Sequence, residues 1–385
     1  MRASSVQEDT AATSASRSRT DVVIVGGGPA GLAAALAARN CGFDVTVLEA
    51  GHPPIEKACG EGLLPEAIRT LSNLGVEVSS EDGFPFEGIR FISGSRRVEA
   101  KFIGEPGIAV RRPRLHARLV ESAERAGVKL LWNSPVRALA PNGVWIGGHL
   151  MRAPCIIGAD GLNSSVRRWA GLDQMSSGSR RIGLRRHYRM RPWSSFVDVH
   201  WARNCQCYVT PVGSDEVGIA FITRESSRRF NELLSEFPDL AERLEGAEPA
   251  STLRGAPTVL RRLARVRRGG IALVGDASGS VDAITGSGLS LAFRQAAALG
   301  DSLARGDLGL YSRAHARIAC HSNIAASILL AMDRHEWLRE RIISVLAAKP
   351  GCFQKMVNLH AGGASALANR SGRPSDAWIP VFEKP

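Results

Sequence analysis

Residues 21–50 read DVVIVGGGPAGLAAALAARNCGFDVTVLEA. The apolar, β-branched run at 22–25 predicts a parallel strand with both faces buried, and the alanine-rich stretch at 30–40 predicts a helix. A second apolar strand is expected at 44–48. A strand, a glycine-rich turn, a helix and a strand in this order are typical of the βαβ unit that binds dinucleotides.

The turn after the first strand has the GxGxxG spacing, with Gly26, Gly28 and Gly31. The first glycine allows the tight turn, the second lets the backbone approach a pyrophosphate, and the third lets the helix lie close to the strand. Pro29 and Ala30 stand at the start of the helix, where a missing amide hydrogen is tolerated. The free amides and the dipole of that helix predict an anion at its N-terminus.

Glu49 ends the second strand, where a carboxylate can accept hydrogen bonds from both ribose hydroxyls of an adenosine. An acid at this position argues against a 2′-phosphate on that ribose. A GxGxxG match by itself also fits an ordinary strand–turn–helix connection, which is disfavoured here because strand, helix and acid all agree. This segment leaves NAD and FAD both open.

The bulk composition describes a globular protein. The chain has 385 residues, of which 44% are hydrophobic and 22% charged, so we expect one large or two interleaved domains. Its seven cysteines form no CxxC pair, which predicts no metal site and a reducing, cytoplasmic location. Residues 1–20 are polar and lack the apolar core of a secretory signal, so a disordered tail is expected.

The net charge of +12 allows several partners. The basic residues are dispersed in short pairs and no nucleic-acid module accompanies them, so we expect no nucleic-acid partner. A solvated surface, an anionic ligand and an anionic membrane surface remain open. Apolar residues recur at helical spacing over 325–346, which suggests peripheral membrane association, whereas no apolar run is long enough for a spanning helix.

Two later motifs make the prediction more specific. The sequence GADGLNSSVR occupies 158–167, and VGDASGSVDAITGSG occupies 274–288. Together with the N-terminal turn they resemble the three motifs of the flavoprotein aromatic hydroxylase superfamily, the p-hydroxybenzoate hydroxylase-like proteins, which include a geranylgeranyl reductase-like branch. The resemblance extends from 21 to about 305, with the motifs in the family's order and spacing. It implies FAD as the cofactor.

The third motif is the one that would hold the reactive end of FAD. Gly275 and Asp276 follow an apolar strand, and in the similar families the matching aspartate holds a ribitol hydroxyl. Gly286, Ser287 and Gly288 lie in a loop that opens a predicted helix. The N-terminus of such a helix would stabilise the negative charge of the reduced flavin ring.

The second motif implies further contacts by resemblance. Asp160, Gly161 and Arg167 match family positions near the pyrophosphate and the approach of the nicotinamide cofactor, with a turn capped by Asp160 as the less favoured alternative. Arg112 matches a family arginine that contacts FAD, with an ordinary solvated arginine as the alternative. Glu49 is then assigned to the adenosine ribose of FAD, so it does not distinguish NADH from NADPH.

The fold class follows from these assignments. We expect an α/β protein in which a Rossmann-like FAD-binding domain of the glutathione reductase type is interleaved with an antiparallel β-sheet substrate domain. The chain is expected to alternate between them as follows: FAD-binding segments 21–85, 108–175 and 255–310, sheet segments 86–107 and 176–254, and a C-terminal helical region at 311–385.

The segment KACGEGLLP at 57–65 resembles the cysteine–glycine motif of the geranylgeranyl reductase-like flavoproteins, whose loop runs close to the flavin ring. Cys59 or Glu61 could then donate a proton, with a small packed cysteine and a surface acid as the alternative. Gly279 and Ala283 stand where the hydroxylases often carry a histidine and a proline. These departures favour the reductase-like branch.

The predicted function is an FAD-dependent oxidoreductase acting on a hydrophobic small molecule, with NADH or NADPH as electron donor. Hydroxylation of a hydrophobic or aromatic substrate through a flavin C4a-hydroperoxide is placed slightly ahead of double-bond reduction by hydride transfer. A flavin-binding protein without catalytic activity is the third hypothesis. The substrate, the choice between NADH and NADPH, and the oligomeric state stay open.

Overall fold

A computed structural model describes residues 20–178 and 180–362, so the predicted tail lies, apart from Thr20, outside the described residues. The strands are β1 Val22–Val25, β2 Val45–Leu48, β3 Gly62–Leu63, β4 Phe84–Phe86, β5 Gly88–Ser93, β6 Arg96–Lys101, β7 Gly107–Ala109, β8 Lys129–Leu131, β9 Val136–Ala140, β10 Gly143–Ile146, β11 His149–Arg152, β12 Cys155–Gly158, β13 Met175–Ser177, β14 Arg181–Arg189, β15 Phe196–Trp201, β16 Cys205–Gly213, β17 Glu216–Thr223, β18 Arg254–Thr258, β19 Arg261–Leu263, β20 Arg267–Arg268 and β21 Ile271–Leu273. The helices are α1 Pro29–Asn40, α2 Pro65–Asn73, α3 Arg112–Arg125, α4 Ser165–Trp169, α5 Phe230–Leu234, α6 Pro238–Arg243, α7 Gly288–Ala304, α8 Leu308–Arg334, α9 Glu336–Ala348 and α10 Pro350–Gly362.

A six-stranded sheet with the order β20-β21-β12-β1-β2-β8 forms the first layer. All its neighbours are parallel except the β20–β21 pair, and β1 lies in the middle between β12 and β2. The four residues of β1 are buried, as an apolar central strand requires. The βαβ unit expected from the glycine-rich turn is therefore confirmed.

A seven-stranded sheet with the order β18-β14-β17-β16-β15-β5-β6 forms the second layer. An antiparallel sheet is expected here, and all its pairs are antiparallel except β15 with β5, which run parallel. The exception arises because the β5–β6 hairpin comes from an early part of the chain. A strand that arrives from a distant segment is free to pair in either direction.

Other elements show how short segments are divided. The region 136–157 contains two separate glycine turns and forms a three-stranded meander, β9-β10-β11, followed by β12. The segment 227–245 contains two short helices, since Pro238 starts a new one at its first position. The C-terminal region expected to be helical at 311–385 is mostly helical as far as Gly362, the last described residue.

The packing of the helices fixes how the two layers meet. Helix α1 lies against α7 so closely that a Cβ on Gly300 would be 3.0 Å from Ala37. The C-terminal helices cover the edge of the second sheet, where the rings of Phe353 and Phe91 are 4.9 Å apart. Strand β18 begins at Arg254 and so straddles the boundary predicted at 254/255. The loops between the layers are thereby held in place by both.

Candidate functional site

The three glycines of the first turn have different surroundings. A Cβ on Gly26, whose φ is 111°, would be 2.4 Å from the carbonyl oxygen of Ala159. A Cβ on Gly31 would be 1.9 Å from the Gly26 oxygen. A Cβ on Gly28 would meet no atom within 4 Å. Gly26 and Gly31 therefore allow tight packing of turn and helix, whereas Gly28 borders open space at the N-terminus of α1.

The start of α1 offers free backbone amides. Gly28 is the N-cap residue and provides no side chain, and Pro29 follows at the first helical position. The other side of this helix start is crowded, because a Cβ on Gly275 would be 2.6 Å from the Cβ of Ala30. The third motif is thus brought next to the first, with Ala30 between them.

Glu49 is held rigidly beside this turn. Its Oε2 accepts a hydrogen bond from the amide of Gly27 at 2.7 Å, and its Oε1 accepts one from the amide of Gly51 at 2.8 Å. Each carboxylate oxygen has two lone pairs, so both oxygens can still accept a hydroxyl. The carboxylate is therefore oriented for a diol such as a ribose.

The start of α3 brings a cation and a histidine to the same region. Arg112 is the first residue of α3, and its buried Nε has no hydrogen-bond partner among the described residues. His116, one turn later, places its Nε2 2.9 Å from the carbonyl oxygen of Gly27. Burial lowers the pKa of His116, which favours the neutral ring. No sequence motif indicated His116, since a lone histidine in a helix has many uses.

The second motif is largely occupied by internal contacts. Asp160 accepts hydrogen bonds from the Ser164 hydroxyl at 2.5 Å and from the amides of Ser165 and Val166 at 2.7 and 3.1 Å. These contacts match the alternative in which Asp160 caps a turn, here the one that starts α4. Gly161, with a φ of 78°, provides the bend.

Arg167 is 2% exposed and also braces the fold. Its Nε donates to Asp173 at 2.7 Å, and its terminal nitrogens donate to the carbonyl oxygens of Ala277 and Leu162 at 3.2 and 3.0 Å. Because Ala277 follows Asp276, the arginine links the second motif to the third. In this geometry Arg167 supports the loop of the third motif, and its contact with the cofactor stays a prediction.

The third motif presents a carboxylate and an open helix end. Asp276 is partly exposed and its Oδ2 is 3.3 Å from Nζ of Lys57. Gly286 has a φ of 64°, and a Cβ on either Gly286 or Gly288 would meet no atom within 4 Å. Ser287 is the N-cap residue of α7 but makes no capping hydrogen bond. The first amides of α7 are therefore left without a side-chain cap.

Buried ion pairs hold this loop in place. Asp282 is fully buried, pairs with Arg181 on the second sheet, and accepts the amide of Ile284 at 3.1 Å. Tyr208, also on that sheet, donates its hydroxyl to the carbonyl oxygen of Ile284 at 2.7 Å. This hydroxyl therefore anchors the loop to the second sheet.

The Cys59 loop lies between the two layers. On one side Lys57 reaches Asp276 of the third motif, and on the other the carbonyl oxygen of Gly60 accepts the hydroxyl of Thr210 on β16 at 3.2 Å. Cys59 is partly exposed, and its Sγ is 3.4 Å from the amide of Glu61. A Cβ on Gly60 would meet nothing within 4 Å. The loop thus borders open space at the junction of the predicted FAD-binding and substrate regions.

Glu61 is not a surface acid, because only 3% of it is exposed. Its Oε1 accepts the amide of Arg112 at 3.1 Å, and its Oε2 is 2.6 Å from Nε2 of His187 on β14. Arg185 lies on the other side of the His187 ring, where its Nη1 is 2.9 Å from Nδ1 of His187. A guanidinium only donates, so Nδ1 accepts and the hydrogen of the ring is on Nε2, directed at Glu61.

These features fit FAD. Open space at Gly28 leaves room for its pyrophosphate and open space at Gly286–Gly288 for its flavin ring, while Glu49 and Asp276 supply acceptors for its hydroxyls. Arg112, whose buried Nε has no partner among the described residues, supplies a partly buried cation. The described residues contain no group of histidines, cysteines and acids that could hold a metal ion. Within the same residues, no helix is both long and apolar enough to cross a membrane.

Comparison with known proteins supports FAD as the cofactor. The FAD binding domain family matches residues 19–306. The menaquinone reductase of Mycolicibacterium smegmatis is 26% identical over 323 residues, which are 77% of this chain and 79% of that protein. Digeranylgeranylglycerophospholipid reductase 1 of Methanopyrus kandleri is 29% identical over 297 residues, which are 71% of this chain and 77% of that protein.

Solved structures share the fold at lower sequence identity. The flavin-dependent brominase Bmp2 superposes with a TM-score of 0.76 over 91% of this chain and 98% of its own, at 18% identity. At this identity the match speaks for the fold alone. It extends beyond residue 306 and so includes part of the C-terminal helical region.

Proposed function

This chain belongs to the FAD binding domain family and is an FAD-dependent oxidoreductase, and we propose that it saturates carbon–carbon double bonds in a hydrophobic isoprenoid substrate. The two reductases similar to it are named for a menaquinone and for a digeranylgeranyl phospholipid. The reducible groups of a geranylgeranyl chain are its carbon–carbon double bonds. The hydroxylation placed slightly ahead on the sequence alone becomes the second candidate.

The observation that carries this proposal is the position of the Cys59 loop. It spans from Asp276 to Thr210, which supports a position between the proposed site of the flavin ring and the second sheet. The departures at Gly279 and Ala283 from the hydroxylase pattern also favour double-bond reduction. A loop in this position can place a proton donor next to a substrate bond.

The reaction needs one hydride and one proton for each double bond. Bound FAD in its reduced form supplies the hydride, with NADH or NADPH as the proposed source of electrons. We assign the proton to the thiol of Cys59, which is partly exposed beside the open face of Gly60. Glu61 is buried and its oxygens accept from the Arg112 amide and face His187, so we assign it the positioning of the loop rather than contact with the substrate.

Hydroxylation is the second candidate because the three motifs resemble those of the aromatic hydroxylases. It differs from reduction in consuming oxygen and in adding an oxygen atom to the product. A third possibility, a flavin-binding protein without catalysis, would bind FAD but transform neither kind of substrate.

One experiment distinguishes double-bond reduction, hydroxylation and FAD binding without catalysis. The FAD-loaded protein is reduced anaerobically with dithionite and mixed with a digeranylgeranyl phospholipid or menaquinone in deuterated water, and the products are analysed by mass spectrometry. We expect the gain of two deuterium atoms per reduced double bond, because the transferable hydrogen of dithionite-reduced flavin and the hydrogen of the thiol both come from solvent. A product formed only after oxygen is admitted, with one added oxygen atom, would establish hydroxylation and refute the proposal. No product under either condition would also refute it and favour a flavin-binding role.

We further propose peripheral contact with a membrane, the source of such substrates. Ile324 and Ile328 stand one turn apart on α8 and are 56% and 41% exposed, and Trp337 on α9 is 67% exposed. Exposed arginines, such as Arg317 and Arg341, accompany them on the same helices. An apolar stripe with basic neighbours suits the surface of an anionic bilayer.

A further inference from the structure

A groove of about 710 Å³ lies outside the glycine turn and the Cys59 loop. Its walls are the segment 261–269, the start of the loop at 278–281 and the facing sides of α7 and α8. Its charged residues are all arginines: Arg261, Arg262, Arg265, Arg267 and Arg268. No aspartate or glutamate lines it.

The arginines of the groove have no directly paired carboxylate among the described residues. None of the five forms an ion pair with a carboxylate in the described part of the chain, in contrast to Arg181, which pairs with Asp282. Those with hydrogen bonds use neutral acceptors. Arg262 donates to the Asn323 carbonyl and the Ser327 hydroxyl at 3.3 and 3.0 Å, and Arg268 donates to the carbonyl of Ala170 at 3.1 Å.

Arg261 is the most constrained of them. Its Nη1 donates to the carbonyl of Leu162 at 2.5 Å, while its buried Nε has no partner among the described residues. Burial, followed by repulsion from the nearby Arg167, lowers its pKa. Asp173 and Asp276 lie near enough to act on Arg261 but form no ion pair with it, so its Nε keeps an unused hydrogen-bond donor.

The remainder of the floor offers neutral polar groups. His315 places its Nε2 2.9 Å from the hydroxyl of Ser278, and burial lowers the pKa of His315 to about 4. The side-chain oxygen of Gln295 accepts from the amide of Gly275 at 2.7 Å. The groove thus combines a neutral polar floor with a cationic wall, a combination suited to a multivalent oxyanion.

We propose that this groove binds the phosphate groups of an organic phosphate, at a site separate from the pyrophosphate site of FAD at Gly28. Several guanidinium groups in one groove suit phosphate oxygens, which accept multiple charge-assisted hydrogen bonds. Arg262, Arg265, Arg267 and Arg268 are exposed, so a ligand can reach them from solvent. The phosphate can come from a soluble dinucleotide such as NADPH or from a phospholipid headgroup.

The test uses the FAD-loaded protein, so that the site at Gly28 is filled, with inorganic pyrophosphate titrated calorimetrically at constant ionic strength. Arg265→Gln is the main variant, since no hydrogen bond of Arg265 holds the fold, and Arg262→Gln is the second. We expect each to weaken pyrophosphate binding about tenfold, the loss of one charge-assisted contact. Arg203→Gln, an exposed arginine in the β15–β16 turn, is the matched control and should bind as the unchanged protein does.

Competition identifies the source of the phosphate. Displacement of pyrophosphate by NADPH more strongly than by NADH supports the site with a dinucleotide ligand, and displacement by phosphatidylglycerol vesicles supports it with a lipid ligand. Absence of saturable pyrophosphate binding, or equal affinity in Arg265→Gln, Arg262→Gln and Arg203→Gln, would overturn the proposal. Because no turnover is measured, this result is independent of the proposed reductase activity.

Discussion

Nε2 of His187 lies 2.6 Å from Oε2 of Glu61, and both side chains are buried. The pair joins the Cys59 loop to strand β14 of the second sheet. Glu61 has a φ of 63°, an uncommon backbone conformation for a residue other than glycine. The surroundings hold it there, since its carbonyl oxygen accepts the amide of Val110 at 2.9 Å and its side chain accepts from Arg112 and His187.

We predict that His187→Phe destabilises the protein strongly. The new ring keeps the volume but leaves Glu61 and Arg185 without the group between them, a loss of about 3 to 5 kcal/mol for a broken buried polar pair. Denaturant titration measures this loss in the free energy of unfolding. His187→Gln, whose amide can still donate to Glu61, should recover part of it, and His149→Phe on the exposed β11 is the control. An unchanged midpoint in His187→Phe would show that the pair is not structural.

The glycines of the first turn allow a matched comparison. Gly28→Ala should leave the apoprotein stable, because the new Cβ enters open space, and should weaken FAD binding about tenfold or more by filling it. Gly31→Ala should destabilise the apoprotein itself, because its Cβ would be 1.9 Å from the Gly26 oxygen. Thermal unfolding of the apoproteins and the flavin absorbance after dialysis measure the two effects. Full FAD retention in Gly28→Ala would remove this turn from the binding site.

Cys59→Ala tests the proposed proton donor. We expect unchanged FAD content and a rate of substrate saturation lowered about 10²- to 10⁴-fold, the usual contribution of a positioned acid. The rate is followed in single turnovers of the dithionite-reduced protein. Cys320→Ala, an exposed cysteine on α8, is the control. Wild-type rates in Cys59→Ala would assign the proton to water or to another group.

The buried ring of His200 makes stability depend on pH. Burial lowers its pKa to about 4, and its Nε2 has no partner among the described residues. Between that value and the ordinary pKa near 6.5, the unfolded chain binds the proton more readily, so this residue reduces stability as pH falls through the window. Above the window the ring is neutral in both states and this contribution no longer changes.

His200→Phe should therefore stabilise the protein. Near neutral pH we expect about 1 kcal/mol from removal of the unpartnered nitrogen, while the ring contact with Phe237 is kept. The gain should grow as pH falls from about 6.5 towards 4, by at most about 1.4 kcal/mol per pH unit. Denaturant titrations at several pH values measure it, with His321→Phe on the exposed face of α8 as control. A gain that stays constant across the window would contradict the assigned pKa.

Membrane contact is tested on α8. The double variant Ile324→Ser, Ile328→Ser should reduce cosedimentation with phosphatidylglycerol vesicles at low salt, because it removes the two exposed apolar side chains of one stripe. Leu253→Ser, an exposed leucine before β18, should sediment as the unchanged protein does. Retention of the unchanged protein in the supernatant would refute the proposed contact.

Much of the nucleotide half was predictable because its determinants are local. Strand, turn, helix and acid stand in one continuous segment, and each glycine has a steric reason that depends on near neighbours, such as Gly31 against Gly26. Other local patterns were ambiguous. The two turns between 136 and 157 fit a hairpin or a meander, and only the pairing partners distinguish them.

The sequence by itself determined the βαβ unit and the order of the three motifs, since hydrophobic periodicity and glycine spacing are properties of short segments. Only the tertiary structure decided which side chains from distant segments contact each other. His187 and Glu61 are separated by 126 positions in the sequence. Arg181 and Asp282 are separated by 101 positions, so no local sequence pattern predicts either pair. The same holds for the parallel β15–β5 pair and the arginine groove, because contacts between distant segments depend on how whole layers pack.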